Sequence, residues 1–515
     1  MDYPHLMGRL WGAVVIAGLT TALLLAGSGI AAPPPAGGEG VVTLTDTYPT
    51  GRYPGDIAVG DFNGDATIDV VTADDSEDLS LFLGDGQGHL TPASRSPDLG
   101  SAGAWSVAAG DFNGDRKLDL AVAAGAKDEV FILLNDGRGD FKQAPGSPVP
   151  VVFTAEVRAG DLDGDGDLDL VNVDSGNGRL IPLTNNGAAR FEPRPEDAAP
   201  LGSIPIEPAV GDLDGDELPD VAVANYGSGD ISVLLNDGAG SFVEPPASPY
   251  SVGTSSGDLE LVDLDGDERL DIVAPSNYAP PHEGELHVLL NRGSGSFVEP
   301  PDSPLPTDAV ASSVASADLN LDGAPDVLVG SAGPNTVTSL LGDGAGGLEA
   351  QPPQPAGGDY PSALQTADLD RDGAPDLVST LYVDQRVAVL LNRTTRLCGG
   401  EPATKLVAPD EGRVQATSGR DVIAGSAGTD RIAGADGRDV ICGRGGDDRL
   451  IGGKSRDRLF GGRGTDVLFG GPDADLLLGG PGPDQLAGDE GRDRLTGGIG
   501  PDRCKQDRSA RSLPC

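Results

Sequence analysis

Short apolar runs and short polar turns alternate along residues 50–392 on a fixed schedule. A run such as Ile57-Ala58-Val59 leads into a polar loop, and the loop leads into Val70-Val71-Thr72 or its counterpart Leu120-Ala121-Val122. A third run follows, as at Ile231-Ser232-Val233-Leu234-Leu235, then the turn Asn236–Phe242, whose glycines supply positive φ, and a fourth run opens at the aromatic. Apolar runs of this length between turn residues predict strands. Four strands per roughly fifty residues predict a propeller blade. The seventh unit stops after Val387 to Asn392 and lacks its fourth strand, whereas Val41-Val42-Thr43-Leu44 stands spare ahead of the first. We expect that segment to complete blade 7 and close the ring, which removes exposed strand edges.

From residue 416 the period shortens to nine. Asp recurs at Asp421, Asp430, Asp439, Asp448, Asp457, Asp466, Asp475, Asp484, Asp493 and Asp502. Two residues after each comes an inward-pointing apolar residue, from Ile423 through Leu450 to Leu495, then Cys504. Gly opens nearly every unit from Gly425 to Gly497. The frame G-G-x-G-x-D-x-U-x predicts a parallel β-roll. Two units make a turn, so Asp421, Asp439, Asp457, Asp475 and Asp493 should line one edge, and the other five the opposite edge. The expected fold class is all-β: a seven-bladed β-propeller over 41–395, a linker over 396–415, a parallel β-roll over 416–505 and a tail over 506–515.

Residues 1–32 read as a signal peptide. Arg9 precedes the uncharged run Leu10 to Ala26, and Gly29 and Ala31 place small residues where cleavage after Ala31 needs them. An uncleaved anchor is the rival, because Leu10 to Ala32 is long enough to span a bilayer. No later segment could span, so no membrane insertion is expected after cleavage, and the destination is secreted or cell-surface. Four cysteines suit an oxidising compartment. Of the three pairings they allow, Cys398–Cys442 with Cys504–Cys515 is favoured, and no CxxC spacing points to a metal.

The polar loop after each first strand carries the chemistry. It begins at Asp61, Asp111, Asp161, Asp212, Asp263, Asp318 and Asp368, in steps of 50, 50, 51, 51, 55 and 50 residues. Positions 1, 3, 5 and 9 are Asp61, Asn63, Asp65 and Asp69 in the first copy, and Asp111, Asn113, Asp115 and Asp119 in the second. Next come Asp161, Asp163, Asp165 and Asp169, then Asp212, Asp214, Asp216 and Asp220, then Asp263, Asp265, Asp267 and Asp271. Copies six and seven have Asp318, Asn320, Asp322 and Asp326, and Asp368, Asp370, Asp372 and Asp376. Alternate oxygens on a tight loop converge on one point, with Gly at position 4 or 6 permitting the turn. Hard oxygens around one centre suit calcium, and position 7, which varies freely, would contribute a backbone carbonyl.

The net charge of -46 concentrates in the propeller repeats, while the roll is almost balanced. Such a surface repels phosphates, so nucleic acid and anionic lipid are excluded as partners. It also repels itself unless cations neutralise it.

The DxDxDGxxDL loops resemble the FG-GAP/VCBS repeat family, whose best-known members are the integrin α-subunit propellers, over about 41–395. The nonapeptide frame resembles the RTX, or haemolysin-type, calcium-binding domain. Both resemblances imply calcium at the loop residues just named and at the ten Asp of the roll. Two features depart from the RTX pattern. Arg431, Arg449, Arg458, Arg494 and Arg503 fill variable slots where they would pair with Asp, and Ser455 and Asp473 replace Gly.

Some motifs mislead. Arg138-Gly139-Asp140 lies inside a hairpin turn, and Gly253-Thr254-Ser255-Ser256-Gly257 lacks the strand–turn–helix context of a nucleophile elbow. The placement of aromatics is more informative. Tyr53, Trp105, Tyr250 and Tyr360 precede first strands, and Tyr226, Tyr278 and Tyr382 follow second strands. All seven belong to the face opposite the calcium loops and are expected to form a recognition surface. The bland alternative is Tyr as filler in wide loops. The expected function is a calcium-binding extracellular recognition or adhesion module for a glycan or protein ligand, monomeric and not an enzyme. A secreted calcium-dependent hydrolase or polysaccharide lyase and a structural envelope protein are the alternatives.

Overall fold

A computed structural model of the chain describes residues 42–505 except 76–78, 101, 254–256, 278–283, 309, 393–396, 399–400, 404, 408–412 and 427. The signal segment and the tail therefore lie outside the described residues. Apart from one 3-10 turn, Pro195–Asp197, the regular structure described is all β.

Seven antiparallel sheets form the propeller. In blade 1 the strands Pro54–Gly60, Asp69–Asp74, Leu79–Gly84 and Leu90–Pro92 pair in chain order. The second strand of each blade is sandwiched between neighbouring blades, and all six residues of Asp69–Asp74, Asp119–Ala124 and Asp169–Asp174 are buried. Burial on both faces is why these runs are continuously apolar rather than alternating. In blades 2 to 6 the outer edge comes in two pieces. In blade 4, Phe242–Val243 and then Tyr250–Ser251 both pair with Asp230–Asn236.

Ring closure follows the sequence expectation. Val42–Pro49 pairs antiparallel with Arg386–Asn392, the third strand of blade 7, from Val42 opposite Asn392 to Pro49 opposite Arg386. Arg386 fastens the junction by donating to the Thr47 hydroxyl at 2.9 Å and its carbonyl at 2.8 Å.

The C-terminal part is a flattened solenoid of two parallel sheets, six strands each. Strands pair with those eighteen residues on, Ile441 with Leu459 and Leu459 with Leu477, so two nine-residue units make one turn. Its core is built from the expected inward residues, one stack per sheet: Ile423, Ile441, Leu459 and Leu477 from one, and Ile432, Leu450, Leu468 and Leu486 from the other, are buried. The segment expected as a linker already contributes to the roll. Lys405–Leu406 and Val414–Gln415 are the first strand of each sheet. Their pairing with units at 423 and 432 compensates for the missing Asp frame. Cys398 and Cys442 are disulfide-bonded, as expected. Cys504 is disulfide-bonded too; its expected partner Cys515 lies outside the described residues.

Candidate metal sites and recognition face

The seven propeller loops share one backbone. Positions 4 and 6 are both left-handed in every copy, with φ between 57° and 92°. Where Gly fills position 4, the strained residue is Ala66, Arg116, Glu217 or Glu268 at position 6; where Gly fills position 6, it is Leu321 or Arg371 at position 4. Only the third copy, Gly164 and Gly166, avoids the penalty of about 1–2 kcal/mol. The sequence difference between early and late copies is therefore not a difference in geometry.

Within each loop the acidic positions divide their work. The position-1 carboxylate accepts the N–H of position 6, as Asp212 does from Glu217 at 2.9 Å. The position-5 carboxylate accepts the N–H of position 7, as Asp216 does from Leu218 at 2.9 Å. The position-9 Asp is buried and staples two strands: Asp220 accepts Leu213 N–H and Asn236 N–H, both at 2.8 Å. Burial, reinforced by neighbouring loop carboxylates and opposed by the backbone donors, pushes Asp69, Asp119, Asp169, Asp220, Asp271 and Asp326 up to about 6 and Asp376 to about 7.

Oxygens of positions 1, 3 and 9 lie within 4.8 Å of one another in blades 3, 4, 5 and 7. Position 5 falls outside these groups. Asp161 Oδ1, Asp265 Oδ1 and Asp368 Oδ1 are buried and take no hydrogen bond, as expected of oxygens awaiting a cation. The Asn loops are different. Asn63, Asn113 and Asn320 donate their side-chain amides to Asp65, Asp119 and Asp322 at 3.0, 3.0 and 3.2 Å. Basic side chains also reduce the loop charge in blade 2, where Lys117 pairs with Asp115 at 2.9 Å, and in blade 5, where Arg269 pairs with Asp267 and Arg292 with Asp265.

The roll builds two aspartate ladders along its edges, as predicted. Each Asp N–H donates to Oδ1 of the Asp eighteen residues on, from Asp421 to Asp439 at 2.8 Å through Asp484 to Asp502 at 3.0 Å. The other oxygen, Oδ2, is buried without a hydrogen bond in Asp439, Asp448, Asp457, Asp466, Asp475 and Asp484. It faces the glycine that opens the unit. A Cβ on Gly452 would stand 2.6 Å from Asp457 Oδ2 and 2.7 Å from the Gly470 carbonyl oxygen. A methyl would thus fill a cradle walled by a carboxylate and a carbonyl, the oxygen donors calcium takes. Burial, with the ladder neighbours adding, pushes Asp448 up to about 8, Asp457 and Asp466 to about 7, and Asp439 and Asp475 to about 6.

The first two rungs are closed by hydroxyls. Thr417 donates to Asp421 at 2.7 Å, and Ser426 to Asp430 at 3.1 Å. Among the arginines expected beside the ladder, Arg449 lies over the Phe469 ring at 4.5 Å and Arg458 over Phe460 at 5.3 Å, on the outer sheet faces. Ser455 and Asp473 hold the left-handed turn without glycine, at φ 79° and 87°.

On the face opposite the propeller loops, Tyr382 packs between Tyr53 at 5.2 Å and Tyr360 at 5.9 Å. Trp105 Nε1 donates to Asp75 Oδ1 at 2.5 Å, and Tyr226 N–H donates to the Ile204 carbonyl at 3.0 Å. Tyr250 does not belong here. It sits in the second piece of the blade 4 edge, packs on Phe297 at 5.5 Å and accepts Phe297 N–H at 3.1 Å, beside the hairpin turn of blade 5. Tyr278 lies outside the described residues.

Sequence reading missed three exposed members of this face: Val152, Phe153 and Val383. It also missed a repeated strain. The residue just before the first strand is left-handed and bulky in five blades: Tyr53, Phe153, Ile204, Val310 and Tyr360. Left-handed backbone at β-branched or aromatic residues is uncommon and costs of order 1–3 kcal/mol. The recurring bulky residue at that offset was the available signal. These loops surround the mouth of a central cavity of ≈ 610 Å³, lined at its rim by Trp105, Asp75 and Tyr382.

The FG-GAP-like repeat family matches residues 61–122, 117–172, 161–223, 212–274, 278–329 and 318–379, together more than half of the chain. RTX calcium-binding nonapeptide repeats match 412–441, 443–477 and 469–504. No curated protein matches. Among solved structures the chain is similar to an Agrocybe aegerita lectin that recognises non-reducing terminal N-acetylglucosamine, at 19% identity and TM-score 0.41, covering 59% of this chain and 80% of that one. It is also similar to BBS1N in complex with ARL6DN, at 14% identity and TM-score 0.47, covering 69% and 98%. A Lactobacillus plantarum protein is similar at 15% identity and TM-score 0.41, covering 65% and 94%. With the loops in register around a closed ring and the aspartate ladders behind it, the chain belongs to the FG-GAP-like repeat family and carries a C-terminal array of RTX calcium-binding nonapeptide repeats.

Proposed function

We propose that the protein is a calcium-loaded recognition module that works outside the cell, binding a glycan or protein ligand at the propeller face opposite its calcium loops. The observation that carries this reading is the gathering of exposed apolar side chains and strained loop residues on that face. Tyr53, Val152, Phe153 and Val383 are exposed there, beside the Tyr53–Tyr382–Tyr360 stack. Strain is retained where surrounding structure over-determines it, commonly at ligand-binding positions. Calcium at the opposite ends of the blades would hold the loops rigid, and the roll would serve as a calcium-dependent spacer or anchor.

Binding without catalysis is the better fit to the histidines. Among the described histidines, His89 pairs with Asp46 at 2.9 Å and His287 with Glu299 at 2.8 Å, and neither lines the cavity; His282 lies outside the described residues. A glycan array and a pull-down with immobilised extracellular proteins, each run with calcium and with chelator, test the reading. A calcium-dependent ligand lost in Tyr53→Ala and Phe153→Ala supports it. Binding that survives both substitutions places the ligand elsewhere.

A further inference from the structure

The seven first strands stand side by side around the propeller axis. Five residues ahead of the loop's first Asp stand Asp56, Glu156 and Glu207 in the first strands of blades 1, 3 and 4, Asp258 just before that of blade 5, and Ser or Ala in the others. Two residues further on, blades 3 and 5 carry Arg158 and Glu260. All six line the central cavity. Five carboxylates thus share one guanidinium. Arg158 reaches Asp56 at 3.2 Å, Glu156 at 3.5 Å, and Glu207. Glu260 accepts a hydrogen bond from the Ser316 hydroxyl at 2.9 Å. Glu156 Oε2, the oxygen that faces Arg158 at 3.5 Å, is buried and accepts no hydrogen bond.

Burying several carboxylates about one guanidinium is unfavourable by several kcal/mol unless some are protonated or a further cation joins them. Burial pushes Glu156 and Asp258 well above the usual carboxylate range and Glu207 up to about 7, with neighbouring carboxylates adding to the push and Arg158 opposing it at both glutamates. The cavity does not suit a bare divalent ion, which needs six to eight oxygens in one shell. Ala58, Ala108, Ala159, Ala209 and Val210 also line the cavity, and the volume of ≈ 610 Å³ far exceeds one ion. Alkyl walls between carboxylates fit a methylene chain with cationic ends. Trp105 and Tyr382 add aromatic side chains at the rim.

We propose that the propeller channel binds a linear alkylammonium, either a free polyamine or a lysine side chain presented by a partner. This names a ligand class for the same mouth and rests on the recognition reading for that mouth's accessibility. The test is calorimetric titration of the full, calcium-saturated chain at physiological ionic strength, with spermidine as one probe and Nα-acetyl-lysine methylamide as the other. We expect one saturable site per chain. Glu156→Gln and Glu260→Gln should each weaken it by about tenfold or more, the effect of losing a charged hydrogen-bond partner. Glu349→Gln, on an exposed outer strand, should leave it unchanged.

Gln365→Lys covers the case in which a Glu variant fails to fold. Gln365 lines the channel from blade 7, so the new ammonium should raise the unfolding temperature and block spermidine. Tighter binding of spermidine assigns a free polyamine, and tighter binding of the lysine derivative assigns a partner's side chain. Heat without a saturable single site, or equal affinity in wild type and both glutamine variants, overturns the proposal. A positive calcium-dependent array alongside that result would leave the recognition reading standing.

Discussion

Replacing Asp457 by Asn should move the stability of the roll in opposite directions with and without calcium. Asp457 Oδ1 accepts Asp439 N–H from the preceding turn, whereas Oδ2 is buried and accepts nothing. Asn keeps the first bond and removes the buried negative charge. In the metal-free roll, burial first and then Asp475 and Asp439 push the Asp457 carboxyl up to about 7, against the backbone donor. That is roughly three units above an ordinary Asp, a ceiling of about 4 kcal/mol once the group is ionised. Relaxation and water entry leave about 2 kcal/mol of it. The sign follows from the raised value. The group costs the fold nothing below about pH 4, and the cost grows until the pH passes the folded-state value near 7.

In chelator, wild type should therefore be less stable at pH 8 than at pH 5, and Asp457→Asn should be the more stable of the two at pH 8. In excess calcium the order inverts, because the amide is the poorer calcium ligand and stabilisation by the metal scales with its affinity. Thermal unfolding followed by circular dichroism, at both pH values and in both solutions, reads all four states. Equal destabilisation by Asp457→Asn with and without calcium would refute the view that Oδ2 is a cation ligand.

Three further outcomes are expected. Asp220→Ala strips two buried backbone N–H groups of their acceptor and should destabilise the propeller by about 2–5 kcal/mol even in chelator, measured by denaturant unfolding. Asp216→Ala at the loop's exposed position should cost far less there. Leu459→Ala removes a fully buried residue of the roll core; a loss of about 2–5 kcal/mol should appear as a higher calcium requirement for roll folding in a calcium titration. Alanine at Gly452 puts a methyl into the cradle beside Asp457 Oδ2, and equilibrium dialysis should count less bound calcium than in wild type.

The acidic propeller loops and the roll are legible in the sequence because their physics is local. Asp61 to Asp69 converge within one tight turn, and Asp421 to Asp502 recur at the period of the solenoid itself. Ring closure is legible because Val42–Pro49 is a strand with no local partner and blade 7 is a sheet lacking one. The division of labour inside the loops is less visible. Nothing in the residue identities says that Asp220 staples two strands while Asp216 holds a turn. Tyr250 was misplaced because the stretch between blades hides a second edge strand, which a two-residue pairing does not announce. The acidic channel escapes notice for a different reason. Asp56, Glu156, Glu207 and Asp258 lie about fifty to a hundred residues apart, each an ordinary polar position in or just before a short strand, and only closing the ring brings them face to face.

The strand that seals blade 7 has a consequence for assembly. Val42 pairs with Asn392 across nearly the whole propeller sequence, and joining segments so distant in a flexible chain carries an entropic penalty of about 5 kcal/mol. Contacts of such high order are slow to form, so the last seam should set the pace of folding. Circular permutation would relieve it: transplanting residues 42–49 behind Asn392 through a tight hairpin keeps every pairing while making the final one local.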